Sequence, residues 1–386
     1  VTARRIVVVG ASQAGCATAS ALRRFGFDGV ITMLGDEHHP PYTRPPLSKG
    51  VLTGSETADS VFLSSNADIE LHTGVAAVGL DRDRQRVRLD DGETIGYDGL
   101  VIATGAKARR LSGQPASEIT LRTLDDAVYL RECLDSVCSV AVAGGGFLGM
   151  EVASSAATLG KSVTVVDQIT PLAGRLGPLL SDMCLTAAAE KGVKILVSPA
   201  GVRIANDAAG RLQATDGTTL AEADIIVTAI GDVPNIEWLR DSELPLDNGV
   251  IVDRACQAAP GIVAAGDVVS LPGGPGRRRA RSPHWSNALS QATIAAATLL
   301  GCTPDSKLGS TPSFFWTEVF GLRIRLAGQL PPVGEPTVAD GSIEDRRALL
   351  VWPPADPETA FGTAAAVNYP ISAPKLTKLA QHPPEH

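Results

Sequence analysis

Gly144, Gly146 and Gly149 follow the short apolar run Val140 to Ala143 and open a stretch with helical character that reaches about Leu159. Glycines at this spacing let the unpaired N–H groups of a helix start face a pyrophosphate. The partial positive charge of that helix end then holds the anion without cationic side chains. Asp167 closes the next apolar run about twenty residues on, where a carboxylate accepts hydrogen bonds from a ribose 2′-hydroxyl. A 2′-phosphate is repelled there and no arginine follows at once, so NADH is expected over NADPH.

A second turn of the same outline stands near the start, from Gly10 to Gly15 after the run Arg5 to Val9. Gly10 makes the turn and Gly15 lets helix and strand pack closely, but Ser12 stands where the middle glycine of such a fingerprint usually lies. Its side chain demands a slightly wider approach or a hydroxyl contact with phosphate. Asp36 or Glu37 takes the ribose position. One reading of two dinucleotide folds in a chain is that one holds a flavin and the other delivers hydride from a nicotinamide. The other is a duplicated fold whose first site has decayed.

The elements that position these turns follow the same plan twice. Arg5 to Val9, a helix around Ala17 to Arg24, and Val30 to Leu34 form one strand, helix, strand unit; Val140 to Ala143, the helix to Leu159, and Ser162 to Asp167 form the other. Short β-branched runs alternating with helical segments predict parallel sheets with crossover helices, an α/β chain. Hairpin regions are expected after each unit: Val75 to Leu89 closed by Asp90 to Gly92, and Val193 to Val197 with a strand near Arg211 and a turn at Asp216-Gly217. A long alanine-rich helix is expected from about Asn287 to Leu300, with Asn287 as its cap. The last part, with strands at Arg323 to Leu326, Ala348 to Trp352 and Gly362 to Val367 and a helix near Ala373 to Leu379, reads as a small α+β domain. The end, His382 to His386, is expected to be disordered.

Bulk properties narrow the classes. The chain has 386 residues, 44% hydrophobic, with a net charge of −8, which gives no general attraction for nucleic acid or anionic membranes. No apolar run approaches the roughly 18 residues that span a bilayer, so a cytoplasmic protein is expected. Its six cysteines, Cys16, Cys133, Cys138, Cys184, Cys256 and Cys302, are dispersed. They argue against a disulfide framework or a metal cluster and are expected to act as small apolar residues. Cys133 and Cys138 have a spacing found in some flavin-linked disulfide reductases, but they precede the second fingerprint rather than follow the first, so no redox role is expected.

Further stretches run in a familiar order: Tyr42 to Lys49 (with Arg44-Pro-Pro-Leu-Ser-Lys49 the most specific), Ala103 to Gly105, Leu121 to Ala127, Gly144 to Glu151, Gly266-Asp267, His284 to Ala288, and Phe315-Trp316. Over nearly its whole length the chain resembles the FAD-containing, NADH-dependent ferredoxin reductases that serve bacterial oxygenases, with apoptosis-inducing factor a more distant relative. The resemblance implies two Rossmann-like dinucleotide-binding domains plus the small C-terminal domain. Residues 1–113 with 246–312 hold FAD, 114–245 hold NAD, and 313–386 follow. It implies that Asp36 binds the FAD ribose, that Lys49 and Arg122 contact the flavin nucleotide, and that Val75 lines the adenosine side. Asp267 would bond the ribityl chain, with Trp285 and Trp316 near the isoalloxazine ring. Gly10, Ser12, Ala14, Gly15, Arg44, Thr104, Gly105 and Gly266 complete the FAD set, and Gly231 joins Gly144, Gly146, Gly149 and Asp167 for NAD. Glu151 is expected to approach Lys49 beside the flavin, where a cation favours hydride arrival and the carboxylate offsets its buried charge.

The implied partner is an acidic two-iron ferredoxin that supplies an oxygenase, steered by the basic stretch Arg277, Arg278, Arg279 and Arg281; a solvated loop is the plainer reading of those arginines. Lys375 and Lys378 are further cations. Alternatives are direct reduction of a quinone or small biosynthetic intermediate, and a redox-responsive interaction flavoprotein. Two departures stand out: Ser12, and Val367 to Pro374, which lacks the arginines that often follow the asparagine in the family.

Overall fold

In the computed structural model, which describes residues 4–64, 68–111, 118–205, 210–271, 279, 281–302, 312–355 and 361–382, the run Arg5–Val9 is a strand buried on both faces. Ile6 and Val8 pack with Leu22, Ala292 and Ala295, while Val7 and Val9 pack with Leu80, Val87 and Val250. Side chains alternate across a strand, so a continuous β-branched run fills two apolar layers at once. Each such side chain removed from water contributes about 1.5–3 kcal/mol.

The chain divides into two units. The first comprises Val1–Thr43, Val61–Lys107 and Val233–Thr311. Its sheet runs in the order Gln257–Ala259, Ile262–Ala264, Gly99–Ile102, Arg5–Val9, Val30–Gly35, Glu70–Thr73. All pairings are parallel except the first. The helices Gln13–Arg24 and Trp285–Leu299 pack on one face through small side chains, among them Ala19, Ala21, Ala292 and Ala296. A three-stranded antiparallel sheet, Ala77–Asp81, Arg86–Leu89 and Thr94–Gly96, stands where the first hairpin is expected.

The second unit comprises Arg44–Ser60, Ala108–Asp232 and Pro312–His386. Its parallel sheet runs Lys194–Val197, Ser162–Asp167, Ser139–Ala143, Ile225–Thr228, Glu118–Thr120. Lys194–Val197 is therefore an edge strand of this sheet, not part of the expected hairpin, which is built instead from Val202–Ile204, Arg211–Ala214 and Thr219–Glu222. The C-terminal part is a five-stranded antiparallel sheet in the order Phe314–Val319, Leu322–Gly328, Thr363–Val367, Arg347–Trp352, Thr337–Ser342. The helix Ala373–Gln381 covers one face, burying Leu376 and Ala380 against Leu349, Val351 and Ala366. Phe314–Val319 and Thr337–Ser342 were not expected from sequence. Residues 383–386, expected to be disordered, lie outside the described residues.

The alanine-rich helix begins at Trp285 with His284 as its N-cap. Asn287 does not cap it: its side-chain amide turns back to donate to the Ser282 hydroxyl at 2.8 Å and carbonyl at 3.1 Å. Among the described residues, no helix is long and apolar enough to cross a membrane.

Candidate functional site

In the first unit the Gly10 turn is closed by backbone. A Cβ on Gly10 would lie 2.1 Å from the Ala103 carbonyl oxygen, and one on Gly15 would lie 2.1 Å from the Gly10 carbonyl oxygen. Ser12 is the extended N-cap of the helix, and its hydroxyl makes no cap hydrogen bond. Gln13, the first helical residue, carries a buried Oε1 without a partner among the described residues. An orphaned acceptor at this helix start fits a bound dinucleotide, whose hydroxyl groups can donate to it. Asp36 is exposed just beyond the strand Val30–Gly35, and Val75 donates its backbone N–H to Gly35.

Thr104 and Gly105 abut this turn and are clamped by Asn235. The Thr104 hydroxyl donates to the Asn235 carbonyl at 2.7 Å, the Asn235 side-chain amide donates to the Thr104 carbonyl at 3.0 Å, and the Asn235 N–H donates to the Gly105 carbonyl. Gly266 lies against the same helix, since a Cβ there would be 2.9 Å from that of Ala14. Its N–H donates at 2.7 Å to the buried Gln291 side chain, which fixes the turn that presents half-buried Asp267. Trp285 is exposed at the start of its helix. Arg279 is exposed and its guanidinium donates to the Val252 carbonyl, while that of Arg281 donates to the Asp267 carbonyl at 3.0 Å. Arg277 and Arg278 lie outside the described residues.

In the second unit the Gly144 turn repeats the construction. A Cβ on Gly149 would sit 1.9 Å from the Gly144 carbonyl oxygen, whereas one on Gly146 would meet nothing within 4 Å among the described residues. The helix Phe147–Thr158 thus starts beneath open space with Gly146 as its cap. Asp167 is held at the end of its strand: Oδ2 accepts from the Gly145 N–H at 2.6 Å and Oδ1 from the Gln168 N–H at 2.5 Å. Gly231 stands exposed after the neighbouring strand with a positive φ of 100°.

The same helix carries a buried polar cluster. Glu151 is 7% exposed; its Oε2 lies 2.6 Å from the Lys49 ammonium and accepts from the Ser48 hydroxyl at 2.6 Å. Its Oε1 accepts from the Thr317 hydroxyl at 2.7 Å. One turn along, the Ser155 hydroxyl donates to the Ser48 carbonyl at 2.6 Å, as a neighbour four residues on can. The Pro45–Ser48 turn fixes Lys49, whose ammonium also reaches the Pro45 carbonyl at 3.2 Å. A buried carboxylate persists only where charge and donors replace its water, and here both oxygens are served. Arg44 donates to the Arg122 carbonyl at 2.6 Å, and Trp316 precedes Thr317 on the strand Phe314–Val319. Arg44, Lys49, Arg122 and Trp316 therefore belong to the second unit, although the sequence groups them with the Gly10 turn.

All six cysteines are free thiols, including Cys133 and Cys138. Cys138 and Cys302 are exposed rather than core. Burial pushes the Cys16 thiol up to about 11 and the Cys184 thiol up to about 12; Cys256 rises to about 12 through burial and the nearby Asp253 charge. At neutral pH, below these values, the three stay protonated and poorly nucleophilic. Native protein treated with a maleimide is expected to label Cys138 and Cys302 within minutes. Cys16, Cys184 and Cys256 should react only after denaturation, and fast labelling of any of them in the native state contradicts this packing.

The sequence profile described as pyridine nucleotide-disulphide oxidoreductase matches residues 4–292. The chain belongs to this oxidoreductase family. Within it, the chain is 38% identical over 354 residues to rhodocoxin reductase of Rhodococcus erythropolis, covering 88% of this chain and 81% of that one. It is 34% identical to the 3-phenylpropionate/cinnamic acid dioxygenase ferredoxin–NAD(+) reductase component of Photorhabdus laumondii, covering 98% and 96%. Among solved structures it resembles the reductase of the covalent putidaredoxin reductase–putidaredoxin complex, with a TM-score of 0.86 and 30% identity over 98% of this chain and 93% of that one.

Sequence reading of this oxidoreductase missed four participants: Ser48, Thr317, Gln291 and Asn235. Ser48 sits inside the Arg44 to Lys49 segment and Thr317 directly follows Trp316. Nothing local says that their hydroxyls converge on Glu151.

Proposed function

We propose that this chain is an NADH-dependent flavoprotein reductase that passes electrons from NADH through FAD to a two-iron ferredoxin supplying an oxygenase. The observation that carries the reading is two separately built glycine-turn cradles in one chain, each closed by backbone. Relatives named as ferredoxin–NAD(+) reductase components support it. FAD fits the Gly10 cradle, with Ser12, Ala14, Gly15, Asp36, Val75, Thr104, Gly105, Gly266, Asp267 and Trp285; the resemblance to the ferredoxin reductases also assigns Arg44, Lys49, Arg122 and Trp316 to it. NADH fits the Gly144 cradle, with Gly146, Gly149, Gly231 and the anchored Asp167 carboxylate, which favours a free 2′-hydroxyl over a phosphate. In this reading residues 1–113 with 246–312 form the FAD domain, 114–245 the NAD domain and 313–386 the C-terminal domain.

A flavin held there supplies the conversion of one hydride into single-electron steps, so each NADH yields NAD(+), a proton and electrons for two one-electron acceptors. The protein supplies orientation and charge. The Lys49 ammonium favours negative charge arriving beside it, and Glu151 keeps that ammonium in place. Arg279 and Arg281, with Arg277 and Arg278, form the basic stretch we assign to docking an acidic ferredoxin, which steers encounter more than it adds affinity. The cytoplasm, where NADH is at hand, is the matching compartment.

The test is purified protein with flavin absorption, bleached by NADH, and cytochrome c reduction measured with and without a two-iron ferredoxin. Strong ferredoxin dependence is expected. A colourless protein that takes up no flavin overturns the reading, and fast quinone reduction without ferredoxin replaces it with the small-molecule alternative. A Ser12→Gly variant is expected to keep its flavin, since the turn already closes through Gly10 and Gly15; loss of flavin on purification would make the hydroxyl a required phosphate ligand.

A further inference from the structure

We infer that Thr317 is a positioning residue for the Lys49–Glu151 pair, so that the first strand of the C-terminal sheet takes part in setting where the ammonium stands. The importance given to that pair rests on the flavoprotein reading above. The positioning itself rests on the seam between helix Phe147–Thr158 and strand Phe314–Val319.

Three contacts define the seam. The rings of Phe147 and Phe315 lie 4.0 Å apart at their centroids, the Thr317 hydroxyl donates to Glu151 Oε1 at 2.7 Å, and the Phe320 N–H donates to the Ser154 hydroxyl at 2.7 Å. Phe147, Glu151 and Ser154 are spaced as one face of a helix, and Phe315 and Thr317 as one face of a strand. The hydroxyl therefore arrives in register with the packing of the two elements. Strand pairing fixes it further, Thr317 lying opposite Ile324 in an unbroken antiparallel ladder. Thr317 is wholly buried and β-branched, which restricts its rotamers.

The two carboxylate oxygens are served unequally. Oε2 takes both Lys49 and Ser48, whereas among the described residues Thr317 is the donor to Oε1. The last torsion of a glutamate is broad, so contacts on one oxygen leave the carboxylate plane free to turn. A donor on the second oxygen pins that plane. Lys49, on a flexible four-carbon stem, is held most closely by the carboxylate oxygen it touches at 2.6 Å, with the Pro45 carbonyl a longer contact at 3.2 Å. Removing the Thr317 hydroxyl thus unpins Glu151, and through it the ammonium, without touching either residue.

The experiment compares Thr317→Val and Thr317→Ser, each alone and combined with Glu151→Gln. Acylation of Lys49 by acetic anhydride is followed by peptide mass spectrometry in protein stripped of flavin. The limiting rate of flavin reduction and the NADH affinity are then measured in the reconstituted protein. In Thr317→Val, Lys49 is expected to acylate several-fold faster because it is no longer held against the carboxylate. The limiting rate is expected to fall about tenfold, the size of losing a hydrogen bond to a charged group, with NADH affinity within about twofold. Serine should restore both readouts, and valine should add nothing once Glu151 is glutamine. Thr317→Ala gives the same comparison if the valine variant does not fold. Unchanged Lys49 acylation, no rescue by serine, or an equal valine effect in the Glu151→Gln background overturns the proposal. Wild-type protein that NADH fails to reduce sinks the functional reading instead, and the acylation rates still decide the role of Thr317.

Discussion

A Gly149→Ala variant is expected to lose about 3 kcal/mol of stability, because its Cβ would stand 1.9 Å from the Gly144 carbonyl oxygen. Alanine is the better helix former by about 1 kcal/mol, but that gain is smaller than the cost of forcing helix from strand. The Gly144 backbone has little room to yield, since its N–H donates to Val166 at 2.8 Å and its φ is already +104°. For a unit of this size the loss lowers the melting temperature by about 6–12 °C. NADH affinity should fall with it as the helix start is displaced, while flavin content holds, because the Gly10 turn is built separately. Gly146→Ala makes the contrast. Its Cβ meets nothing within 4 Å, so stability should change by less than about 1 kcal/mol. In the proposed NADH cradle it intrudes on the pyrophosphate backbone contact, and NADH affinity should fall about tenfold. Calorimetry and NADH titration of the two variants check this, and equal melting losses or an unaltered NADH affinity in Gly146→Ala would refute it.

Lys49→Met carries the second large effect. Glu151 would keep its two hydroxyl donors, Ser48 and Thr317, but lose its counter-charge in a site where it is 7% exposed. Breaking a buried pair by removing one partner costs about 3–5 kcal/mol; the Lys49 side chain retains 20% exposure, which places this case near about 2–3 kcal/mol. The limiting rate of flavin reduction by NADH should drop on the order of a hundredfold, as when one preorganised electrostatic contact is removed from a reacting centre. NADH affinity should change little, since the Gly144 cradle is intact. Stopped-flow reduction over a range of NADH concentrations separates the two constants. An unchanged limiting rate would reduce the pair to a structural ion pair.

The glycine turns were legible because everything that makes them is local. The run Arg5–Val9, Gly10 and Gly15 lie within a few residues, and the steric demand at each position admits almost one residue type. The alternation of β-branched runs with helical segments likewise announces parallel sheets, and the order of short motifs points to the ferredoxin reductases. Less was legible where a feature depends on distant partners. Lys194–Val197 reads as a hairpin strand until a parallel neighbour, Ser162–Asp167, takes it as an edge. Asn287 reads as a cap until Ser282 offers its amide better partners.

By itself, the sequence determined the two glycine turns and the pairing expected of Lys49 with Glu151, since these follow from short-range spacing and from the family order of motifs. Only the tertiary structure decided that Glu151 is buried, that hydroxyls from Ser48 and Thr317 close on its two oxygens, and that Gln291 holds the Gly266 turn. The reason is physical: a buried charge is defined by the groups that replace its water, and those come from segments that meet only when the sheet and helices pack.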